Sequence, residues 1–224
     1  MNIGFISDIH GNYEALKAVL AELDKMNISE IYCLGDVVGY YSQVNECCNE
    51  LRSRKIPCIM GNHDWYMAGN GFALRSKSAN DCIAYQRKVI TSENVQWLKT
   101  FPIQREVHDI QMLHGGWSDP IDEYLLEPTE EYFNKIKGTV FLSGHTHIQT
   151  IRQFGEKKYC NPGSVGMPRD NNPEAAFAVY TDNIFTLHRV PYDIQKVCDL
   201  MAKTGFNNYY YGGLLTGARN LKRP

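Results

Sequence analysis

Aspartate and histidine recur where apolar runs end. FIS is followed by Asp8-Ile9-His10, YCLG by Asp36, IMG by Asn62-His63-Asp64, QML by His114-Gly115, and FLSG by His145-Thr146-His147. Carboxylates are hard metal ligands and imidazoles borderline ones, and together they suit divalent first-row ions such as Mn, Fe, Co, Ni or Zn. A glycine accompanies each exit (Gly11, Gly35, Gly61, Gly115, Gly144), which turn formation alone explains. Turns do not explain why His10, His63, His114, His145 and His147 all lie in these exits while only His108 and His188 lie elsewhere. Two carboxylates ~4 Å apart at an effective dielectric near 20 repel by about 4 kcal/mol. Asp8 and Asp36, brought together, would therefore need a proton or a cation between them. Asp8, His10, Asp36, Asn62, His114, His145 and His147 are too many ligands for one ion and suit two ions sharing a bridge.

For these exits to meet, the apolar runs must be strands whose carboxyl ends open on one crevice, as ligand sites do in open α/β sheets. Residues 2–7, 31–34 and 57–60 read as short buried strands, and 12–26 and 43–54 as helices. Leu16, Val19, Leu20 and Leu23 share one face of the first helix, Asn12 is placed to cap it, and Glu14 suits its first turn. Strand and helix alternating at this spacing imply parallel strands joined by right-handed crossovers. Residues 63–100 read as mainly helical, with Trp65, Tyr85 and Trp97 as packing anchors. Strands are then expected at 103–107, 110–113, 140–142, 148–153, 157–160, 176–180 and 184–189, and a helix at 129–137. No internal repeat and no linker rich in Pro, Gly and Ser divides the chain. The expectation is one α/β domain over residues 1–224, with a motif-bearing core at 1–190, a C-terminal helix and tail at 191–224, and two stacked sheets flanked by helices.

Composition narrows the partners. With 224 residues, 43% of them hydrophobic and 21% charged, the chain can bury one good core. Its 23 basic and 25 acidic residues create no field that selects nucleic acid or an anionic membrane. No apolar stretch approaches the roughly 18 residues of a membrane span, and no secretory leader is read at the N-terminus. Seven cysteines without a CxxC pair suit reduced thiols, in the core and at the surface, of a cytoplasmic protein.

Taken in order, Asp8-x-His10, Gly35-Asp36, Gly61-Asn62-His63-Asp64, His114-Gly115 and Gly144-His145-x-His147 resemble the calcineurin-like metallophosphoesterase superfamily. NPGSVGMPRD at 161–170 resembles the strand-linking segment of its small bacterial and archaeal YfcE-like phosphodiesterase branch. The resemblance implies a four-layer αββα sandwich of two mixed β-sheets flanked by helices. It implies two divalent metal ions, with Mn the first choice, and hydrolysis of phosphate esters by a hydroxide bridging them. By position, Asp8, His10, Asp36 and His147 would hold one ion, and Asp36, Asn62, His114 and His145 the other. His63 would be the general acid facing the leaving group, with Asp64 behind it orienting the ring.

One block departs from the pattern. Phosphoprotein phosphatases of the superfamily carry GDxVDRG, where this chain has GDVVGYY with Gly39 and Tyr40 in the Asp-Arg positions. An arginine fork clamps a dianionic monoester, so its absence argues against a Ser/Thr protein phosphatase and for a phosphodiester, which carries one charge fewer. Arg169 is the best substitute cation, and Tyr40 is a second candidate contact to substrate. Tyr40, Tyr41 and Trp117 could stack on a base or belong to the core. The implied partner is a small phosphate ester or nucleotide. Contact between nucleic acid and the basic tail is the lesser alternative, and oligomeric state stays open.

Overall fold

The computed structural model describes residues 2–72 and 76–218. Strand β1 (Asn2–Ile6) runs parallel to β2 (Glu30–Cys33), and the crossover between them is α1 (Tyr13–Lys25). The Asn12 side chain caps α1 by accepting the Ala15 N–H at 3.1 Å. Helix α2 (Val44–Ser53) follows, then a helical region made of α3 (Asn62–Trp65), a wide turn over Tyr66–Asn70, α4 (Lys77–Val89) and α5 (Ser92–Leu98). Next come β3 (Gln104–Val107), β4 (Ile110–Leu113), α6 (Glu130–Asn134), β5 (Val140–Leu142), β6 (Gln149–Phe154) and β7 (Lys157–Pro162). Strands β8 (Ala175–Thr181) and β9 (Ile184–Val190) and helices α7 (Ile194–Lys203) and α8 (Asn208–Tyr211) complete the order.

Two mixed sheets result, one ordered β2-β1-β8-β9 and the other β3-β4-β5-β7-β6. Only β1 and β2 are parallel in the first, and β4, β5 and β7 in the second; the hairpins β8-β9, β3-β4 and β6-β7 lie at three of the four edges. Alternation puts Ile3, Phe5, Ala178 and Tyr180 on the inner face of the first sheet. There they meet Ile110, Met112, Val140 and Leu142 of the second. The outer face of the first sheet is covered by Leu16, Val19, Leu20 and Leu23 of α1 and by Val44, Cys47 and Leu51 of α2. Each such aliphatic side chain contributes roughly 1.5–3 kcal/mol when withdrawn from water. Phe133 of α6 covers Phe141 and Tyr159 on the far face of the second sheet, giving the four layers helix, sheet, sheet, helix. The family's architecture expected from sequence is therefore present.

Residues 57–60 differ from the expected strand. Only a bridge between Cys33 and Cys58 forms, with the Cys33 N–H on the Pro57 carbonyl and the Ile59 N–H on the Cys33 carbonyl, both 3.0 Å. Pro57 has no N–H to extend the ladder, and Met60 already donates to Pro102 at 2.8 Å. The helical stretch is broken at Gly69, whose φ of 106° no helix accommodates. Trp65 and Trp97 pack on the outer core as anchors, and Tyr85 meets the ring of Phe206. All seven cysteines are free and buried, so none is the surface thiol expected. Among the described residues no helix is long and apolar enough to cross a membrane. The basic tail residues Arg219, Lys222 and Arg223 lie outside the described residues.

Candidate metal centre

The parallel strands of the two sheets end at the same place. Asp8 follows β1, Asp36 follows β2, His114 follows β4, and His145 and His147 follow β5. The two sheets are tied there by the His145 N–H donating to Asp8 Oδ2 at 3.0 Å, and by His114 Nδ1 on the Leu34 carbonyl at 2.8 Å. The 161–170 segment closes the junction. Ser164 Oγ and the Gly166 N–H both donate to the Asp8 carbonyl, at 2.7 and 3.0 Å, and Asn12 Nδ2 donates to the Gly166 carbonyl at 2.9 Å. A Cβ on Gly166 would lie 1.8 Å from the Ile9 carbonyl oxygen, so only glycine permits this approach.

Five of the seven candidate ligands hold left-handed backbone: Asp8 and His10 at φ 55°, Asp36 at 54°, His145 at 65° and His147 at 63°. Such conformations cost roughly 1–3 kcal/mol each for residues with a Cβ and persist where surrounding contacts over-determine them. Here the Asp8 and His10 N–H groups donate to Gly35 and Asp36 at 3.0 and 2.9 Å, and the His147 carbonyl accepts Arg169 N–H at 3.1 Å. The strain turns successive side chains of one short segment toward one point, which an extended strand cannot do.

Their atoms form two half-shells around Asp36. On one side His10 Nε2 and His147 Nε2 are 3.0 Å apart, and His147 Nε2 is 3.1 Å from Asp8 Oδ1. On the other side His114 Nε2 lies 3.1 Å from Asn62 Oδ1 and 3.2 Å from His145 Nδ1. Asp36 Oδ2 stands between them, 3.7 Å from His10 Nε2 and 3.4 Å from His114 Nε2. All seven side chains are buried.

The donor chemistry fits two cations. Nδ1 of His10 faces the Val38 carbonyl at 3.0 Å, that of His114 faces Leu34 at 2.8 Å, and that of His147 faces Met167 at 2.6 Å. These contacts assign the ring protons to Nδ1 and leave the three Nε2 lone pairs pointing at other acceptors. Asp8 Oδ1 is buried without a hydrogen-bond partner. Lone pairs and carboxylates crowded this closely are stable only with positive charge among them. Burial alone would raise the carboxyls, yet His147 and His114 hold Asp8, and His114 and His63 hold Asp36, well below the usual range. Burial lowers His114 as well, but Asp36 and Asp8 outweigh it and push the ring up to about 10, so without metal a proton there substitutes for the cation. Burial keeps His10, His145 and His147 low and neutral.

A family model for the calcineurin-like phosphoesterase superfamily domain matches residues 1–183. The chain belongs to that superfamily. An uncharacterized Methanocaldococcus jannaschii protein, MJ0912, is 33% identical over 225 residues, covering 90% of this chain and 92% of its own length. Phosphodiesterase YfcE of Escherichia coli is 26% identical over 205 residues, covering 84% of this chain and 91% of the relative. The crystal structure of a metallophosphoesterase from Sphaerobacter thermophilus superposes with a TM-score of 0.86 at 28% identity, covering 97% of this chain and all of the other. The chain is a phosphoric ester hydrolase by family.

Within this phosphoesterase the residues outside the two half-shells depart from expectation. The Asp64 carboxylate does not back His63. It accepts four backbone N–H groups: Asp36 at 2.7 Å and Gly61 at 3.1 Å on Oδ2, Val37 at 3.0 Å and Val38 at 3.2 Å on Oδ1. Sitting at the N-terminus of a one-turn helix, it staples the Asp36 loop instead of orienting a ring. Burial and the Asp36 charge push it up to about 7, against the amides of Val38 and Gly61. His63 Nδ1 is buried without a partner, and burial keeps the ring down at about 4 although Asp36 raises it. A Cβ on Gly39, at φ 136°, would come 2.5 Å from His10 Nδ1 and 2.8 Å from His63 Nδ1. That position therefore carries no side chain, and the carboxylate that could have braced His63 is absent.

Tyr40 packs edge-on to His10 with centroids 4.9 Å apart and lies 5.0 Å from His63, and its hydroxyl meets Arg169 Nη2 at 3.3 Å. Both candidate substrate contacts thus border the centre. Tyr41 and Trp117 are packing residues, the first among Met167, Val197 and Met201, the second on Phe133 and Phe141. Sequence reasoning missed Gln86, whose Oε1 accepts Gly39 N–H at 2.8 Å and whose Nε2 donates to the Tyr41 carbonyl at 2.5 Å. Its signal was a polar residue on the apolar face Ala79, Cys82, Ile83 of α4. It also missed Tyr124, whose ring is 4.0 Å from His145, and Asp122, whose Oδ1 is 3.5 Å from His145 Nε2. Nothing in the sequence marks either.

Proposed function

We propose that the protein is a dinuclear metal-dependent phosphodiesterase acting on small phosphodiesters or nucleotides in the cytoplasm, with Mn²⁺ the first choice of ion. The observation that carries this reading is the Asp36 carboxylate standing between two complete half-shells of donors. Asp8, His10, Asp36 and His147 hold one ion, and Asp36, Asn62, His114 and His145 the other. When bound, the two ions supply Lewis-acid charge for phosphoryl oxygens and acidify water near neutral pH.

The protein's own groups do the remainder. Carbonyls of Val38, Leu34 and Met167 fix the tautomers of His10, His114 and His147, so each presents a lone pair inward. Asp64 holds the Asp36 loop rigid through four amides. His63 delivers a proton from Nε2 to the departing oxygen, a contribution of typically 10²- to 10⁴-fold. Because burial keeps the ring near 4, it takes up that proton only with an anionic phosphate before it. Without a carboxylate at position 39 or an arginine at 40, the site lacks the dianion clamp that would favour phosphomonoesters or phosphoproteins.

The test is hydrolysis by protein reconstituted with Mn²⁺, offered bis-p-nitrophenyl phosphate and p-nitrophenyl phosphate beside an Asp36→Asn control. Faster diester hydrolysis, abolished in the variant, is expected. A faster monoester reaction assigns a phosphomonoesterase instead, and silence on both with two ions bound favours a non-catalytic scaffold or a very selective enzyme.

A further inference from the structure

Arg169 is a buried cation with no carboxylate in contact, although it lies within the field of Asp8. Among the described residues it forms no ion pair, and its Nε is buried with no hydrogen-bond partner. Its polar contacts are neutral: the Tyr40 hydroxyl at 3.3 Å, the Met167 sulfur at 3.9 Å, and the Tyr124 hydroxyl. The adjacent carboxylate is directed elsewhere: Asp170 Oδ2 pairs with Arg189 and accepts the Gln149 N–H at 3.3 Å, while its Oδ1 is buried without a hydrogen-bond partner and forms no ion pair with Arg169. The carboxylates of Asp8 and Asp36 point at the metal positions. A guanidinium withdrawn from water and unanswered costs several kcal/mol unless an anion completes it.

Its placement says which anion. The main chain of Arg169 is pinned to His147 by the 3.1 Å hydrogen bond, so the side chain leaves from the edge of one half-shell. The guanidinium carbon then sits 5.9 Å from the Tyr40 ring centre, with Nη2 at the hydroxyl, while the same ring packs on His10 and His63. The Tyr40 ring thus touches both the guanidinium, at its hydroxyl, and two rings of the centre. Tyr124 brings a second hydroxyl to it from the ring that lies against His145. The two tyrosines flank the cation without neutralising it.

We propose that Arg169, held between Tyr40 and Tyr124, is a subsite for a second phosphate next to the phosphate on the metals, so that the preferred substrate carries two adjacent phosphoryl groups. This rests on the phosphoesterase reading and names its substrate class. The diester-like scissile phosphorus keeps one negative charge for the metals, and the neighbouring phosphate brings the charge that Arg169 lacks. Tyrosine hydroxyls, as donors, add hydrogen bonds to the same oxygens.

Binding tests the subsite without any turnover. Calorimetry on Mn²⁺-loaded protein compares AMP, with one phosphate, and α,β-methylene-ADP, with two that cannot be cleaved at the bridge. A charge-assisted contact predicts that the second ligand binds about 10- to 100-fold more tightly to wild type. In Arg169→Gln that preference falls to about threefold or less, and Arg169→Lys, which keeps the charge but not the fork, lies between. AMP binding by each variant shows that it has folded. A wild-type protein without the preference, or a preference that survives in Arg169→Gln, overturns the subsite; equal weakening of both ligands places the guanidinium on the first phosphate and overturns it too. Failure of the phosphoesterase reading would show separately, as binding without hydrolysis of any ester.

Discussion

His10 and His147 face each other through Nε2 atoms 3.0 Å apart, while their Nδ1 atoms are turned to the carbonyls of Val38 and Met167. Two imidazole lone pairs cannot approach this closely unless positive charge lies between them. The same crowding surrounds His114, whose ring carries the substitute proton in the absence of metal.

Metal binding therefore displaces protons. His114 is pushed up to about 10 by Asp36 and Asp8 against the effect of burial, so at pH 7 the metal-free ring is charged, whereas a liganding ring must be neutral. Titrating Mn²⁺ at pH 7 is expected to release about one proton per chain, and affinity should rise about tenfold per pH unit below 10. The sign for stability is the reverse. A pKa raised above the unfolded value stabilises the metal-free fold fully below about 6.5 and is lost as pH climbs through about 10. Calorimetry in two buffers of different ionisation heat measures the released proton; none released refutes the assignment.

His63 and Asp64, adjacent in sequence, are predicted to fail differently. His63→Ala should keep both ions and its melting temperature. On bis-p-nitrophenyl phosphate, whose leaving group needs no proton, it should lose little, and on a dinucleotide with an alkoxide leaving group about 10²-fold or more. Asp64→Asn removes charged acceptors from four backbone amides and should cost about 2 kcal/mol or more of stability. Thermal unfolding and leaving-group dependence, measured on both variants, separate the roles. If Asp64→Asn melts like wild type and shows the leaving-group defect, Asp64 serves His63 after all.

Much of this was readable in the sequence, and the limits are physical. The ligands could be found because metal chemistry demands particular side chains at strand ends, and apolar runs mark those ends. The strand expected at 57–60 does not form, because Met60 turns its N–H to Pro102, a long-range contact without a local pattern. Asp64 was misread because adjacency in sequence says nothing of direction: at a helix start its carboxylate turns back onto amides 26 to 28 residues away. Tyr124 and Asp122 reach the site from a loop held by Glu123 on Ser118 N–H and the Tyr132 hydroxyl, a long-range arrangement without a local pattern.

Away from the centre, Glu14 should govern acid stability. It is buried at the start of α1 with Lys17 and Lys196 each 2.8 Å away, and despite burial these and Gln43 pull it down to about 2. A depressed carboxyl stabilises the fold above its unfolded pKa near 4.5, and the contribution is lost as pH falls toward 2. Since both lysines are half exposed, the effect is screened to about 1 kcal/mol. Urea unfolding of wild type and Glu14→Gln should differ by that amount at pH 6 and converge near pH 2; a constant difference would exclude the linkage.

The central claim, two ions sharing Asp36, is tested most directly by counting metal. Protein stripped with chelator, reloaded with Mn²⁺ and freed of excess is predicted to retain two ions per chain, and Asp36→Asn one or none. A single ion per chain in the wild type, or two retained in Asp36→Asn, would contradict the account.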